Sequence, residues 1–192
     1  MRRRGLGTLA ALATAALLAA VVASMLHRAT SDLALPLTDA SIIREQAAEK
    51  RLDPALIAAV IYAETKFDPR PSSAGAQGLM QILPSTAYYL ARLSGGIDFS
   101  AGDLSKPSVN LAYGSYYLRY LLDHYGGDQM LAIAAYNGGL TNVDRWVARA
   151  QAAGHPLTVQ EIPFTQTREY VQRVLDAEQA YRDTYARQLG LE

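Results

Sequence analysis

The stretch VIYAETKFDPR, residues 60–70, decides both how this chain folds and where its chemistry can lie. Ile57, Val60 and Ile61 precede Glu64 by seven, four and three positions, so on a helix they share its face. Upstream, Asp53 and Pro54 form an N-cap and first-turn pair that opens ALIAAVIYAET, and this helix ends near the break from Lys66 to Pro71. The pattern is a buried helix with a carboxylate in its apolar stripe. Desolvation raises the pKa of such a group, and an acid that holds its proton near neutral pH can donate it. The competing reading is that Glu64 simply ends its helix, paired with Lys66, Arg70 or a loop amide.

Helical periodicity continues on both sides of this segment. A first helix is expected at about 39–50. After a loop of small residues, PSSAGAQG, the run LMQILPSTAYYLARL resumes helical character, with Pro84 suited to a first turn. PSVNLAYGSYYLRYLLDHYGG carries Leu111, Leu118, Leu121 and Leu122 at helical spacing and stops at paired glycines. DQMLAIAAYNGG and VDRWVARA predict two shorter helices. The last helix, about 165–188, sets Tyr170, Val171, Val174, Leu175, Tyr181 and Tyr185 on its buried side. Strand-like alternation is missing beyond a few residues, so the domain is expected to be all-α.

The amino terminus is of another kind. MRRR precedes residues 5–26, which carry no charge and are followed by His27 and Arg28. A run of about 20 apolar residues behind arginines is a signal-anchor or signal peptide that leaves the remainder outside the cytoplasm. The expected organisation is residues 1–28 as this segment, 29–38 as a tether, and 39–192 as the folded domain. The length favours a retained membrane anchor, and Val21 and Ala23 offer only a loose cleavage site. The localisation expected is extracytoplasmic, membrane-anchored or exported.

Half of the 192 residues are apolar and 19% are charged, as in a globular domain. With no cysteine, the exported part has to be held by its core, without disulfides or a thiolate nucleophile. Without Arg2, Arg3, Arg4 and Arg28, 14 basic residues face 18 acidic ones, which disfavours nucleic acid as a partner. His27, His124 and His155 are scattered and no HExxH motif is present, so no metal and no cofactor are expected. Neither a GxSxG elbow nor a phosphate-cradling glycine loop occurs. His124, beside a Gly pair, reads as a helix-terminal residue favoured by the dipole.

The loop after Glu64 has its own chemistry. Glycines and alanines let a backbone approach a ligand closely, while two serines, Gln77 and Gln81 supply neutral groups suited to sugar hydroxyls and acetamides. Twelve tyrosines against three phenylalanines provide flat surfaces with polar tips, although Tyr117 and Tyr181 read as core.

The string ETKFDPRPSSAGAQGLMQILPSTA, residues 64–87, resembles the signature of the soluble-type lytic transglycosylase catalytic domain, whose fold is that of goose-type lysozyme. NLAYGSYYLRYLLDHYGGDQMLAIAAYNGGLTNVDRW resembles the second block of that family and IPFTQTREYVQRVL its third, in order, across roughly residues 40–176. The resemblance implies a lysozyme-like all-α domain that cleaves the glycan strands of peptidoglycan. It makes Glu64 the single catalytic acid, with Ser72 or Ser73 and Gln81 beside it in the loop. It sets Tyr136 and Asn137 along the cleft and Tyr170 in its wall, where a plain core tyrosine is the alternative. The loop is one residue shorter than the usual form, which favours Ser72. Gly138 stands where alanine is usual, which adds backbone freedom, and Gln166 stands where an acid is common.

One carboxylate suffices only if the substrate supplies the second group, and the resemblance implies a 1,6-anhydromuramoyl product. Asp68, four residues on, lies in a DP turn where capping explains it. Two alternatives stand beside this reading: a hydrolytic lysozyme on the same fold, and a non-catalytic, membrane-tethered peptidoglycan-binding module. The partners expected are glycan strands and, through the amino-terminal segment, a membrane; the protein is expected to be a monomer.

Overall fold

The computed structural model describes residues 35–70, 72–95 and 100–192. The apolar segment at 5–26 lies outside the described residues, and no described helix is long and apolar enough to cross a membrane. Among the described residues seven α-helices follow one another: α1 (Ala40–Lys50), α2 (Pro54–Thr65), α3 (Pro84–Ser94), α4 (Pro107–His124), α5 (Gln129–Gly138), α6 (Leu140–Ala152) and α7 (Thr165–Leu189). Two short 3-10 turns, Ala101–Ser105 and Val159–Glu161, join them. Among the described residues the only β-type pairing is an isolated antiparallel bridge between Gln77 and Ile82.

The centre of the domain is α2. Asp53 caps it by accepting from the Ala55 amide at 2.7 Å, with Pro54 in the first turn, as the sequence predicts. Every residue from Ala55 to Ile61 is at most 2% exposed, so this helix is apolar all round and surrounded by the others. Each such Leu, Ile or Val contributes roughly 1.5–3 kcal/mol of burial. The helix stops where Lys66 and Phe67 both take left-handed backbone, φ 51° and 63°, which turns the chain out of the core and into the loop.

The most extensive packing in the domain is α2 against α7. Two polar contacts fix its register. At one end, Arg182 on α7 donates to the free oxygen of the Asp53 cap and, at 3.2 Å, to Glu178, which also accepts from Gln129 on α5. At the other end, Tyr170 on α7 donates to Glu64 at 2.8 Å. Eleven positions separate Asp53 from Glu64 and twelve separate Tyr170 from Arg182, so the helices run antiparallel with a contact at each end. The α5 helix packs on both α4 and α7, and α1 lies against α4 and α2.

Some sequence expectations need adjustment. LMQIL is not helical: Leu79–Leu83 is a turn held by the Gln77–Ile82 bridge, and α3 begins only at Pro84. Its hydrophobicity serves the core, since Leu79, Met80 and Ile82 are buried from within an irregular segment. On α7, Tyr170, Val171, Val174 and Tyr181 are buried, whereas Leu175 and Tyr185 are only half-buried and the helix bends at Tyr185. The Tyr181 hydroxyl donates to the carbonyl of Pro36, so the end of the expected tether is docked on α7.

Candidate active site

Glu64 sits in the last turn of α2, with Ile57, Val60 and Ile61 fully buried on the turns behind it. The residue itself is half-buried, at the edge of the fully buried part of the helix. Burial pushes its pKa up to about 7, against a smaller opposing pull from the Tyr170 hydrogen bond and the Arg173 guanidinium. Lys66 and Arg70 are not its partners: Arg70 pairs at 2.7 Å with Asp68, and both of those side chains are largely exposed. That surface pair also explains Asp68 without any catalytic role.

Two tyrosines flank Glu64 from other helices. Tyr170 on α7 is 3% exposed, as a core tyrosine is, and its hydroxyl donates to Glu64 Oε1. Tyr136 on α5 donates to the Met80 carbonyl at 2.8 Å, and the charge of Glu64 adds to the burial that raises its pKa. Both phenols are pushed well above their ordinary value, chiefly by burial. Neither gives up a proton near neutral pH, which leaves Glu64 as the group of the three that titrates there.

The loop beside Glu64 is shaped by side chains from three helices. Asn110 on α4, fully buried, accepts from the Met80 amide at 2.8 Å and donates to the carbonyls of Gln77 and Leu104 at 2.8 and 3.0 Å. Thr65 donates to the Leu79 carbonyl at 2.9 Å, and Tyr136 holds the next carbonyl. Gly78 makes this possible: with φ +73° it lies so close that a Cβ would come within 2.2 Å of Asn110 Nδ2 and 2.4 Å of Leu104 O.

Within the loop, Ser72 Oγ accepts from the Ala76 amide at 2.9 Å, so its hydroxyl closes the turn, while Ser73 is exposed. Gln81 adopts φ 48° and donates its side-chain amide to the carbonyls of Gly78 and Arg70 at 2.9 and 3.1 Å. Both therefore brace the loop. Asn137 accepts from Thr167 at 2.9 Å across the α5–α7 contact. The geometry thus brings Tyr170 to Glu64 directly and Tyr136 within the influence of its charge, with Gln81 and Ser72 in the loop that Tyr136, Thr65 and Asn110 pin.

Asn110, Thr65 and Arg173 are missing from the sequence reading. Asn110 carried a usable signal, because it stands four and eight positions before Gly114 and Leu118 on the apolar face of α4. A buried amide there requires partners, and the loop backbone supplies them. Gly138 departs from expectation in its reason: its backbone is helical, and what matters is space, since an added Cβ would lie 3.1 Å from Thr167 Cγ2 and Oγ1. Gln166 is exposed. His124 ends α4 and contacts Asp144 at 3.0 Å.

Residues 41–157 match the family described as the transglycosylase SLT domain. The soluble lytic murein transglycosylase of Salmonella typhimurium is 35% identical over 127 residues, covering 65% of this chain and 20% of that protein. The soluble lytic murein transglycosylase of Escherichia coli K12 is 31% identical over 150 residues, covering 77% of this chain and 23% of that one. In structure, the 70 kDa soluble lytic transglycosylase of E. coli aligns with a TM-score of 0.74 at 30% identity, over 82% of this chain and 26% of its own. The chain spans about a fifth to a quarter of the length of these relatives.

Proposed function

The chain belongs to the transglycosylase SLT domain family, and from that premise we propose that it is a peptidoglycan lytic transglycosylase with Glu64 as its one acid–base group. The observation that carries this reading is the half-buried Glu64, whose carboxyl accepts from Tyr170 and whose pKa burial raises to about 7. Such an acid is protonated in a useful fraction at neutral pH and still becomes a competent base once it has given its proton away.

In the proposed reaction, Glu64 donates its proton to the glycosidic oxygen between N-acetylmuramic acid and N-acetylglucosamine as that C–O bond breaks. The acetamido oxygen of the substrate stabilises the cationic carbon in place of a second carboxylate. Glu64, now anionic, takes the proton of the 6-hydroxyl, whose oxygen bonds to the same carbon and closes a 1,6-anhydro ring. No water is consumed, and Glu64 ends protonated as it began. Tyr170 holds the carboxyl through both steps, and the loop carrying Gln81 and Ser72 presents polar groups towards the sugars.

We place the catalytic domain at residues 39–192 and read the uncharged run at 5–26 behind MRRR as the element that delivers it, as a membrane anchor or export signal, to the extracytoplasmic face where peptidoglycan lies. Digestion of purified peptidoglycan followed by mass spectrometry of the released muropeptides tests the chemistry. Anhydro ends, lighter by one water than hydrolysed ends, are the expected product. Hydrolysed ends would make the protein a lysozyme on this fold, and binding without release would make it a wall-binding module.

A further inference from the structure

Two consecutive residues, Lys66 and Phe67, carry the chain out of α2 in left-handed backbone, φ 51° and 63°. Residues with a Cβ adopt that conformation only where their surroundings compensate for it. Lys66 lies two positions after Glu64, so whatever holds this turn also holds the end of the helix that bears the acid. Within the turn, the Lys66 amide donates to the Tyr62 carbonyl and the Asp68 amide to the Thr65 carbonyl, both at 3.0 Å. From α7, Tyr181 packs against it, with its ring 6.1 Å from that of Phe67 and edge-on to Tyr62 at 6.2 Å and 70°.

Tyr181 is fully buried, and a buried hydroxyl requires a hydrogen-bond partner. It has one outside the helices, the Pro36 carbonyl at 2.5 Å. Pro36 belongs to an irregular strap at 35–38 that precedes α1, and it is itself exposed. Tyr181 also stacks on Tyr185, 5.8 Å away at 30°, where α7 departs from helical backbone. A phenyl ring alone would fill the space among Tyr62, Phe67 and Tyr185. The hydroxyl adds the tie to the strap, so one atom connects the segment before α1, through one aromatic cluster, to the turn behind Glu64.

We propose that Tyr181 is a positioning residue for the acid: by fastening the strap at 35–38 to α7, it holds the left-handed turn at Lys66 and Phe67 and thereby keeps the Glu64 carboxyl on Tyr170. The proposal rests on Glu64 as the acid–base group and goes further, since it makes the strap a working part of the site instead of a spacer. Without the bond to Pro36 the Tyr181 ring gains freedom. Phe67 then loses the fixed face that balances its unfavourable backbone, and the last turn of α2 frays.

Amide hydrogen exchange and turnover of soluble glycan strands by the full chain, in the unmodified protein, Tyr181→Phe, Phe67→Ala and the double variant, test it. Circular dichroism checks that each variant folds. In Tyr181→Phe, exchange of the Lys66 and Asp68 amides is expected to speed up by about tenfold, with the amides of 57–61 unchanged. Its kcat is expected to fall about fivefold at unchanged KM, because the carboxyl is displaced while the sugar-binding surface is untouched. Phe67→Ala is expected to lower kcat likewise, and the double variant to fall no further than the worse single one, since both act through one contact. Unchanged exchange at Lys66 and Asp68 in Tyr181→Phe, an unchanged kcat in either single variant, or losses that multiply in the double variant overturn the proposal. Faster exchange at the turn in a protein that releases no glycan fragments at all would instead overturn the catalytic function and leave the strap holding the turn.

Discussion

The Tyr170 hydroxyl donates to Glu64 Oε1 at 2.8 Å, joining residues 106 positions apart. This bond does two things to one carboxyl. It fixes the rotamer of the carboxyl, which in the proposed reaction points at the glycosidic bond, and it favours the ionised form against the burial that favours the protonated one. Balance between the two leaves the acid near neutrality, where donation and acceptance are both feasible.

Tyr170→Phe removes the donor and keeps the ring. The carboxylate loses stabilisation, so the pKa of Glu64 rises and the alkaline limb of kcat/KM, expected near pH 7 in the unmodified protein, moves to higher pH. The plateau rate below that limb falls because the carboxyl is no longer held in place. A pH–rate profile reads both effects, and an unmoved limb contradicts the assigned bond.

Asn110→Ala leaves the Met80 amide and the Gln77 and Leu104 carbonyls without their side-chain partner in a buried site. The expected loss is about 3 kcal/mol of stability by denaturant unfolding, since each orphaned buried group costs about 1–3 kcal/mol and the site partly relaxes. Activity is expected to fall further than the folded fraction does, because the loop beside Glu64 is released from α4.

Gly78→Ala tests the close approach directly. The residue has φ +73°, and a Cβ would overlap Asn110 and the Leu104 carbonyl. Strain and displacement together are expected to cost about 2 kcal/mol or more, read as a lower midpoint of unfolding. Stability equal to the unmodified protein would mean that the loop does not lie against Asn110.

Glu64→Gln is expected to stabilise the fold, in a pH-dependent way. The folded protein binds the Glu64 proton more tightly than the unfolded chain, at about 7 against an ordinary 4.5. Stability of the unmodified protein therefore declines as pH rises through that window and levels off above it. Glutamine has no proton to lose, so its advantage grows from near zero below pH 4.5 to at most about 3 kcal/mol above pH 7. Unfolding at pH 4 and pH 8 reads the difference.

Much of this site was legible in the chain because one rule, periodicity, exposes a misfit. Glu64 stands among Ile57, Val60 and Ile61, so spacing marks it as an acid on an apolar face without separating a proton donor from a paired helix-ending residue; Asp53 and Pro54 announced where its helix starts. The same rule misread LMQIL, whose apolar residues enter the core from a turn that only tertiary hydrogen bonds from Asn110, Thr65 and Tyr136 define. Tyr117 was read as core, yet it lines a cavity beside Tyr89 and Tyr120, because partial burial on a helix face leaves no mark in spacing. Ser72 and Gln81 lie beside the acid in sequence, but their hydrogen bonds run within the loop, which depends on backbone angles that no sequence pattern displays.

The most direct measurement is release of soluble muropeptides from purified peptidoglycan by the unmodified protein and by Glu64→Gln, with both shown to be folded. The account predicts steady release of anhydro products by the former and none above the blank by the latter, with sedimentation on the insoluble wall retained. Release by Glu64→Gln at an undiminished rate would remove Glu64 from the chemistry and contradict the account.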